Sequence, residues 1–324
     1  MAEWLIEEGI GEHRAALFDG DEILAARVDW REGLARGLVA DAVLVSRTRG
    51  SSRGTARFTT GEEALVSRLP ADAAEGAIIR LEITRPSLSE GQRRKLAQAR
   101  PSSSLPRPAP TLAEVLAAEG HTARVVHRFP GSEWDELMAE VFAGTVAFTG
   151  GSLLLYPTPA MLLVDVDGTL PPRQLALAAV EPLAAALRRF DIGGSIGIDF
   201  PTLPMREERR EVDTALDAAL AGWPHERTAM NGFGFVQLVA RAERPSLLHR
   251  AAHQPADTAA RWLLRKAEAL EGAGAILLTL HPAVEAQLRP EWLDQLARRT
   301  GRDIRIEARS DLAIEGAHAQ VVPR

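Results

Sequence analysis

Short apolar runs separated by polar turns dominate the first third of the chain. Residues 4–6 and 13–18 read as strands, with a turn at Asp19-Gly20-Asp21, because runs of this length bounded by Gly and Asp are strand signals. Residues 39–46, 55–58, 63–66 and 77–84 repeat the pattern between Gly and Ser turns and predict a small barrel. Residues 92–100 predict a basic helical piece, and the Pro/Ser-rich run 101–110 predicts a linker. Two helical patterns over 111–143 flank residues 125–129. Helices are predicted over 170–190, interrupted at Pro182, and over 207–221. The tail predicts helix 257–272, strand 274–280, helix 283–299, strand 303–308 and a last strand near 318–322, which together form an α/β unit.

Two of the apolar runs end in acid: Met161-Leu-Leu-Val-Asp165-Val-Asp167-Gly-Thr169 and Gly193-Gly-Ser-Ile-Gly-Ile-Asp199-Phe200. Reactive groups collect past the carboxyl ends of strands in open α/β sheets. If these two strands are neighbours, Asp165, Asp167 and Asp199 meet at one edge. Carboxylates brought together repel one another and are costly to desolvate unless a cation or a proton joins them. Mg²⁺ suits such a site, since it takes one or two carboxylates and completes its shell with water. The pair therefore points to metal-dependent chemistry on a phosphate ester. A single strand-end Asp is as readily a helix N-cap, and Asp-Gly is a common turn dipeptide, so the combination carries the inference.

Asp165-Val-Asp167-Gly-Thr169-Leu170 also resembles the first motif of haloacid-dehalogenase-type phosphatases, in which the first Asp is the nucleophile. That family needs a downstream Lys and a late acidic pair, whereas the only lysines here are Lys95 and Lys266. A broader resemblance comes from Arg188-Arg-Phe-Asp191-Ile-Gly-Gly-Ser-Ile-Gly-Ile-Asp199-Phe200 together with Phe148-Thr-Gly-Gly-Ser-Leu-Leu-Leu-Tyr156-Pro-Thr158. It continues through Met205-Arg206, Thr228-Ala-Met-Asn-Gly-Phe233-Gly-Phe235 and Arg241-Ala-Glu-Arg244-Pro-Ser-Leu247. In order and spacing these resemble the catalytic core of the ribonuclease E/G family.

The resemblance implies an α/β (α+β multidomain) chain. An OB-type barrel (37–100) would be inserted in an RNase H-like region (1–36 and 119–157, after a linker at 101–118). A DNase I-like α/β catalytic domain (158–250) and a small C-terminal α/β unit (251–324) would follow. It implies a Mg²⁺-dependent endoribonuclease on single-stranded RNA that leaves 5′-phosphate and 3′-hydroxyl ends. Asp165 and Asp199 would be the catalytic metal ligands, with Mn²⁺ able to substitute, and Asp167 would support the site where the family has Asn. The alternatives are a non-catalytic RNA-binding relative and the phosphatase.

In the family an aromatic on the barrel stacks on a base. Phe58 falls at one such position and Leu65 at a second. The loop Arg47-Thr-Arg49-Gly-Ser-Ser-Arg53-Gly is the better RNA candidate, because arginines pair with phosphates and glycines admit a close backbone. Arg206 and Arg241 are further candidates on the catalytic segment. There is little room for the family's 5′-end-sensing subdomain. Where larger members carry the zinc-linking cysteines this chain has His249 and His253, so no zinc link is expected. The final unit either packs on the catalytic sheet or forms a homodimer contact.

Net charge changes the picture locally. The chain as a whole carries −6, but residues 41–100 hold eleven Lys/Arg against seven acids, the footprint of a nucleic-acid site within an acidic protein. The absence of cysteine excludes disulfides and thiolate metal sites. No run approaches the ~18–20 apolar residues of a membrane span, and the acidic start lacks a signal peptide's basic region, so the expected compartment is the cytoplasm.

Overall fold

A computed structural model describes residues 1–324 apart from Arg31, Gly91, Gln92 and Arg324 and the side chains of residues 89–94. The chain is a mixed α/β protein with four main sheets, one of them closed. β1 (Glu3–Glu8), β2 (His13–Asp19) and β3 (Glu22–Asp29) form an antiparallel meander. β4 (Val39–Arg47), β5 (Gly54–Phe58), β6 (Glu63–Val66) and β7 (Ile78–Arg85) follow. After a short pair, β8 (Leu88–Glu90) with β9 (Arg93–Lys95), strand β10 (Ala97–Pro101) bridges β6 and β7 and closes a five-stranded barrel.

The helical piece predicted over 92–100 is therefore strand from Arg93 onward, and Gln92 lies outside the described residues. Ala97 and Ala99 alternate inward with Gln98 and Arg100 outward, and pairing on both edges overrides the helix propensity of Lys, Leu, Ala and Gln. The barrel has its own core, built around Leu44, Ala56, Phe58, Val66, Leu81 and Ile83. The Pro/Ser-rich run does not hang free. Pro101 ends β10, and Arg107 exchanges backbone hydrogen bonds with Val39.

α1 (Leu112–Ala118) starts at a Thr111/Glu114 capping box and packs Leu112 and Leu116 beneath Trp4 and Ile6. β11 (Ala123–Val126) then joins β1 in parallel. α2 (Glu133–Ala143) ends at Gly144 in the left-handed conformation. A six-stranded sheet follows, ordered β12-β13-β14-β15-β17-β16. Its strands are β12 (Thr145–Phe148), β13 (Gly151–Pro157), β14 (Leu162–Gly168), β15 (Gly194–Asp199), β16 (His225–Arg227) and β17 (Phe235–Ala240).

α3 (Pro172–Arg189) crosses from β14 to β15, and α4 (Arg206–Ala219) follows β15. α3 runs unbroken through Pro182, against the predicted interruption. An interior Pro costs about 3 kcal/mol. Burying Leu175, Val180, Leu183 and Leu187 on one face, at about 1.5–3 kcal/mol each, outweighs it. The same buried cluster includes Leu5, Phe18 and Val28 from the first sheet and Val164 and Ile198 from this one, so the two sheets share a single core.

α5 (Leu247–His253), unmarked in the sequence reading, is capped by Ser246, whose side chain accepts from the His249 N–H. The tail consists of α6 (Pro255–Glu268), β18 (Ala275–Leu280), α7 (Pro282–Glu285), α8 (Pro290–Thr300), β19 (Ile304–Ala308) and β20 (His318–Val322). The single helix predicted over 283–299 is two, because Arg289 before Pro290 is extended and Pro290 opens a new helix.

A buried ionic cluster ties this tail to the first sheet. Glu7 accepts from Arg14, from Arg265 Nε at 3.0 Å and from the Phe129 N–H at 2.9 Å. Arg265 also reaches Asp135, and Arg261 joins Gly11 O and Glu32 while stacking on Trp30 and Trp292. Among the described residues no helix is long and apolar enough to cross a membrane.

Candidate active site

β14 and β15 run parallel at the centre of the six-stranded sheet, and their register sets Asp165 opposite Asp199. Val164, Val166, Ile196 and Ile198 are buried in the core under α3. Side chains alternate across a strand, so Asp165, Asp167 and Asp199 all point to the opposite face. That face is open: Asp167 and Asp199 are exposed and Asp165 is half-buried. The three acids predicted from the sequence are thus on one face, two of them side by side. Neighbouring strands lie ~4.8 Å apart, close enough for one cation to touch both carboxylates.

The electrostatics agree with that placement. The Asp165 carboxyl is held above its ordinary range, first by partial burial and then by the charges of Asp199 and Asp167. Among the described residues no Lys or Arg forms an ion pair with any of the three. No group of three or more His, Cys, Asp or Glu among those residues is arranged to enclose a metal ion. The donor set is two hard carboxylates in register at an open surface, which fits Mg²⁺ or Mn²⁺ with water and substrate oxygens filling the remaining positions.

Residues 200–205 lead from Asp199 to α4. The Phe200 N–H donates to Gly234 O at 3.2 Å, and Arg209 donates to Leu203 O and Pro204 O. Arg209 is therefore a tether for this segment. Arg206, at the first position of α4, is exposed. Arg241 is elsewhere: it follows β17, whose last residue Ala240 pairs with Gly194 at the far end of β15 from Asp199. Five residues of strand put it roughly 17 Å from the acids. It lies 3.4 Å from Glu243, beside a cavity of about 1260 Å³ between this end of the sheet and the barrel.

On the barrel, Phe58 is 5% exposed and belongs to the barrel core, so its ring is not offered to a base as the sequence reading expected. The parity of β5 turns Ala56 and Phe58 inward and Arg57 outward. Leu65 is exposed. Arg47 donates to Ala71 O and Ala73 O and so braces its loop. Arg49 and Arg53 are exposed. His249 and His253 sit one turn apart on α5 with ring centroids at 4.5 Å.

The sequence reading assigned no role to the aromatic residues of the open face. Tyr156 on β13 is exposed, and Phe235 on β17 lies opposite Asp199. The signal was Gly197: a glycine inside a strand marks a close approach, and a Cβ there would stand 2.5 Å from the Phe235 ring.

No protein-family model matches the chain, and no curated protein matches it either.

Proposed function

We propose that this protein is a metal-dependent endoribonuclease acting on single-stranded RNA, as its resemblance to the ribonuclease E/G family implies. The observation that carries the reading is the cross-strand pair Asp165–Asp199 on an open sheet face, uncompensated by any protein cation among the described residues. These two carboxylates would hold Mg²⁺, with Asp167 as a third acid on the same face. Bound there, the ion would supply Lewis-acid stabilisation of the charge that develops on a phosphodiester. Arg206, exposed at the start of α4, would meet a neighbouring phosphate. Arg49 and Arg53 on the barrel loop would hold the strand through phosphate contacts, which grip without selecting sequence. In this reading residues 1–36 and 119–157 make up the RNase H-like region, the barrel is of the OB type, and products carry a 5′-phosphate and a 3′-hydroxyl.

The phosphatase reading lacks its lysine. Lys266 donates to Ala317 O in the C-terminal unit and Lys95 lies in β9, so neither stands at Asp165. The test is cleavage of an unstructured RNA in Mg²⁺ and in EDTA, by the wild type and by Asp165→Asn. Cleavage that needs Mg²⁺ and is lost in the variant supports the reading. Equal cleavage by both proteins overturns it, and RNA binding without cleavage in either condition favours the non-catalytic alternative.

A further inference from the structure

We infer that the turn before β17 forms a nucleobase-binding subsite next to the acidic pair, in which the ring of Phe233 stacks on a base of the bound strand. The inference rests on the endoribonuclease reading and adds to it a residue that meets the bases. Phe233 is 81% exposed, the most exposed aromatic side chain among the described residues. The ring therefore keeps both apolar faces open to a planar partner.

The place is fixed. Asn231 Oδ1 accepts from the Phe233 N–H at 2.9 Å and from the Phe235 N–H at 3.1 Å. Thr202 Oγ1 donates to Phe233 O at 3.3 Å, which ties the turn to the segment leaving Asp199. Gly234 has φ +91°, and a Cβ there would stand 2.3 Å from Phe200 O, so the turn closes tightly on that segment. The backbone is thus ordered before any ligand arrives, which lowers the entropic penalty of binding.

Position and surroundings select the ligand. Phe235 pairs with Asp199, and Phe233 is two residues earlier, so its Cα is within about 7 Å of Phe235 Cα. Glycines flank Phe233 on both sides, so no neighbouring side chain in the turn competes for the space beside its exposed ring. The Phe235 ring lies over Gly197 on the same face of the sheet as the carboxylates. An exposed ring on an ordered turn suits a planar base, and every base offers a π-face, so the contact adds affinity with little sequence choice. A protein partner would ask for a broader apolar patch.

The experiment uses the full chain. Affinity for a labelled, unstructured RNA is measured by fluorescence anisotropy in EDTA, and cleavage kinetics in Mg²⁺, for wild type, Phe233→Ala and Phe233→Trp. Phe233→Ala is expected to weaken binding and raise KM on the order of 5- to 100-fold. The change in kcat should be smaller, and Phe233→Trp should recover most of the loss. An RNA with one abasic nucleotide beside the scissile bond should erase the difference between wild type and Phe233→Ala, as expected if ring and base interact directly. Wild-type binding and KM in Phe233→Ala, or no position at which the abasic substitution matters, overturns the subsite. A Phe233→Ala effect that appears only as a changed sedimentation coefficient also overturns it, in favour of a contact with a second copy. Loss of cleavage in Asp165→Asn alongside a normal Phe233→Ala leaves the nuclease reading standing without the subsite. Equal cleavage by wild type and Asp165→Asn overturns the parent reading instead.

Discussion

Replacing Asp165 by Asn removes one of two like charges that β14 and β15 hold in register. With the carboxylates about 5 Å apart, their repulsion is roughly 0.8 kcal/mol at the dielectric of water and roughly 3 kcal/mol at an effective value of 20. Asp199 is exposed and Asp165 only half-buried, so the lower end applies, about 1 kcal/mol. Without divalent cations, Asp165→Asn should therefore be more stable than wild type at neutral pH. For a 324-residue chain unfolding as one unit the shift in Tm is about 1.5 °C, and more if a smaller unit melts alone.

The sign follows from the Asp165 carboxyl, whose folded-state pKa is raised above its ordinary value by partial burial and by the charges of Asp199 and Asp167. The ionised form burdens the native state at every pH above the raised value. That burden lifts as the pH falls through it, so the advantage of the variant should shrink on acidification and vanish below pH ~4. Mg²⁺ should act in the opposite sense between the two proteins: at ten times its dissociation constant it stabilises the wild type by about 1.4 kcal/mol and leaves the variant largely unmoved. Scanning calorimetry at pH 4, 5.5 and 7, in EDTA and in Mg²⁺, measures all three effects. A variant less stable than wild type at pH 7 in EDTA, or an equal Mg²⁺ shift in both proteins, refutes the reasoning.

Gly197→Ala should cost about 1–3 kcal/mol by driving a methyl into the Phe235 ring, measurable as a lower denaturant midpoint with an unchanged slope. Arg265→Ala should cost about 3–5 kcal/mol, because it strips a partner from the buried Glu7 carboxylate; a melting curve unchanged from wild type would remove the cluster from the stability account. Arg49→Ala with Arg53→Ala should weaken RNA binding alike for all sequences and flatten the salt dependence by about 0.7 per lost phosphate contact, read from titrations at several salt concentrations. Arg241→Ala, at the far end of the sheet from the acids, should leave kcat within about twofold, and a large loss would show that the strand runs the length of the sheet.

What the sequence disclosed was alternation. The barrel strands carried inward Val, Leu and Ala against outward polar residues, and both acidic strands were apolar runs too short for helices. The register that sets Asp165 beside Asp199 was not legible, since it depends on which strands become neighbours. β10 was misread because its inward residues are Ala97 and Ala99, whose small side chains give little periodic signal, while their neighbours favour helix. Phe58 shows the limit of parity: alternation tells that Phe58 and Arg57 face opposite ways, not which of the two faces water. Phe233 carries no periodic signal because it sits in a turn, and only contacts with Thr202 and Asn231 show that its backbone position is fixed.

The Glu7–Arg265 contact spans 258 residues of chain. At synthesis rates of about 5–20 residues per second, the first strand leaves the ribosome roughly 10–50 s before Arg265, the second arginine on Glu7 after Arg14. Until then the nascent meander holds an acid destined for burial without its full complement of cations. Completion of this cluster therefore waits on translation of α6. A nonsense mutation that spares both acidic strands but removes α6 would leave Glu7 without Arg265.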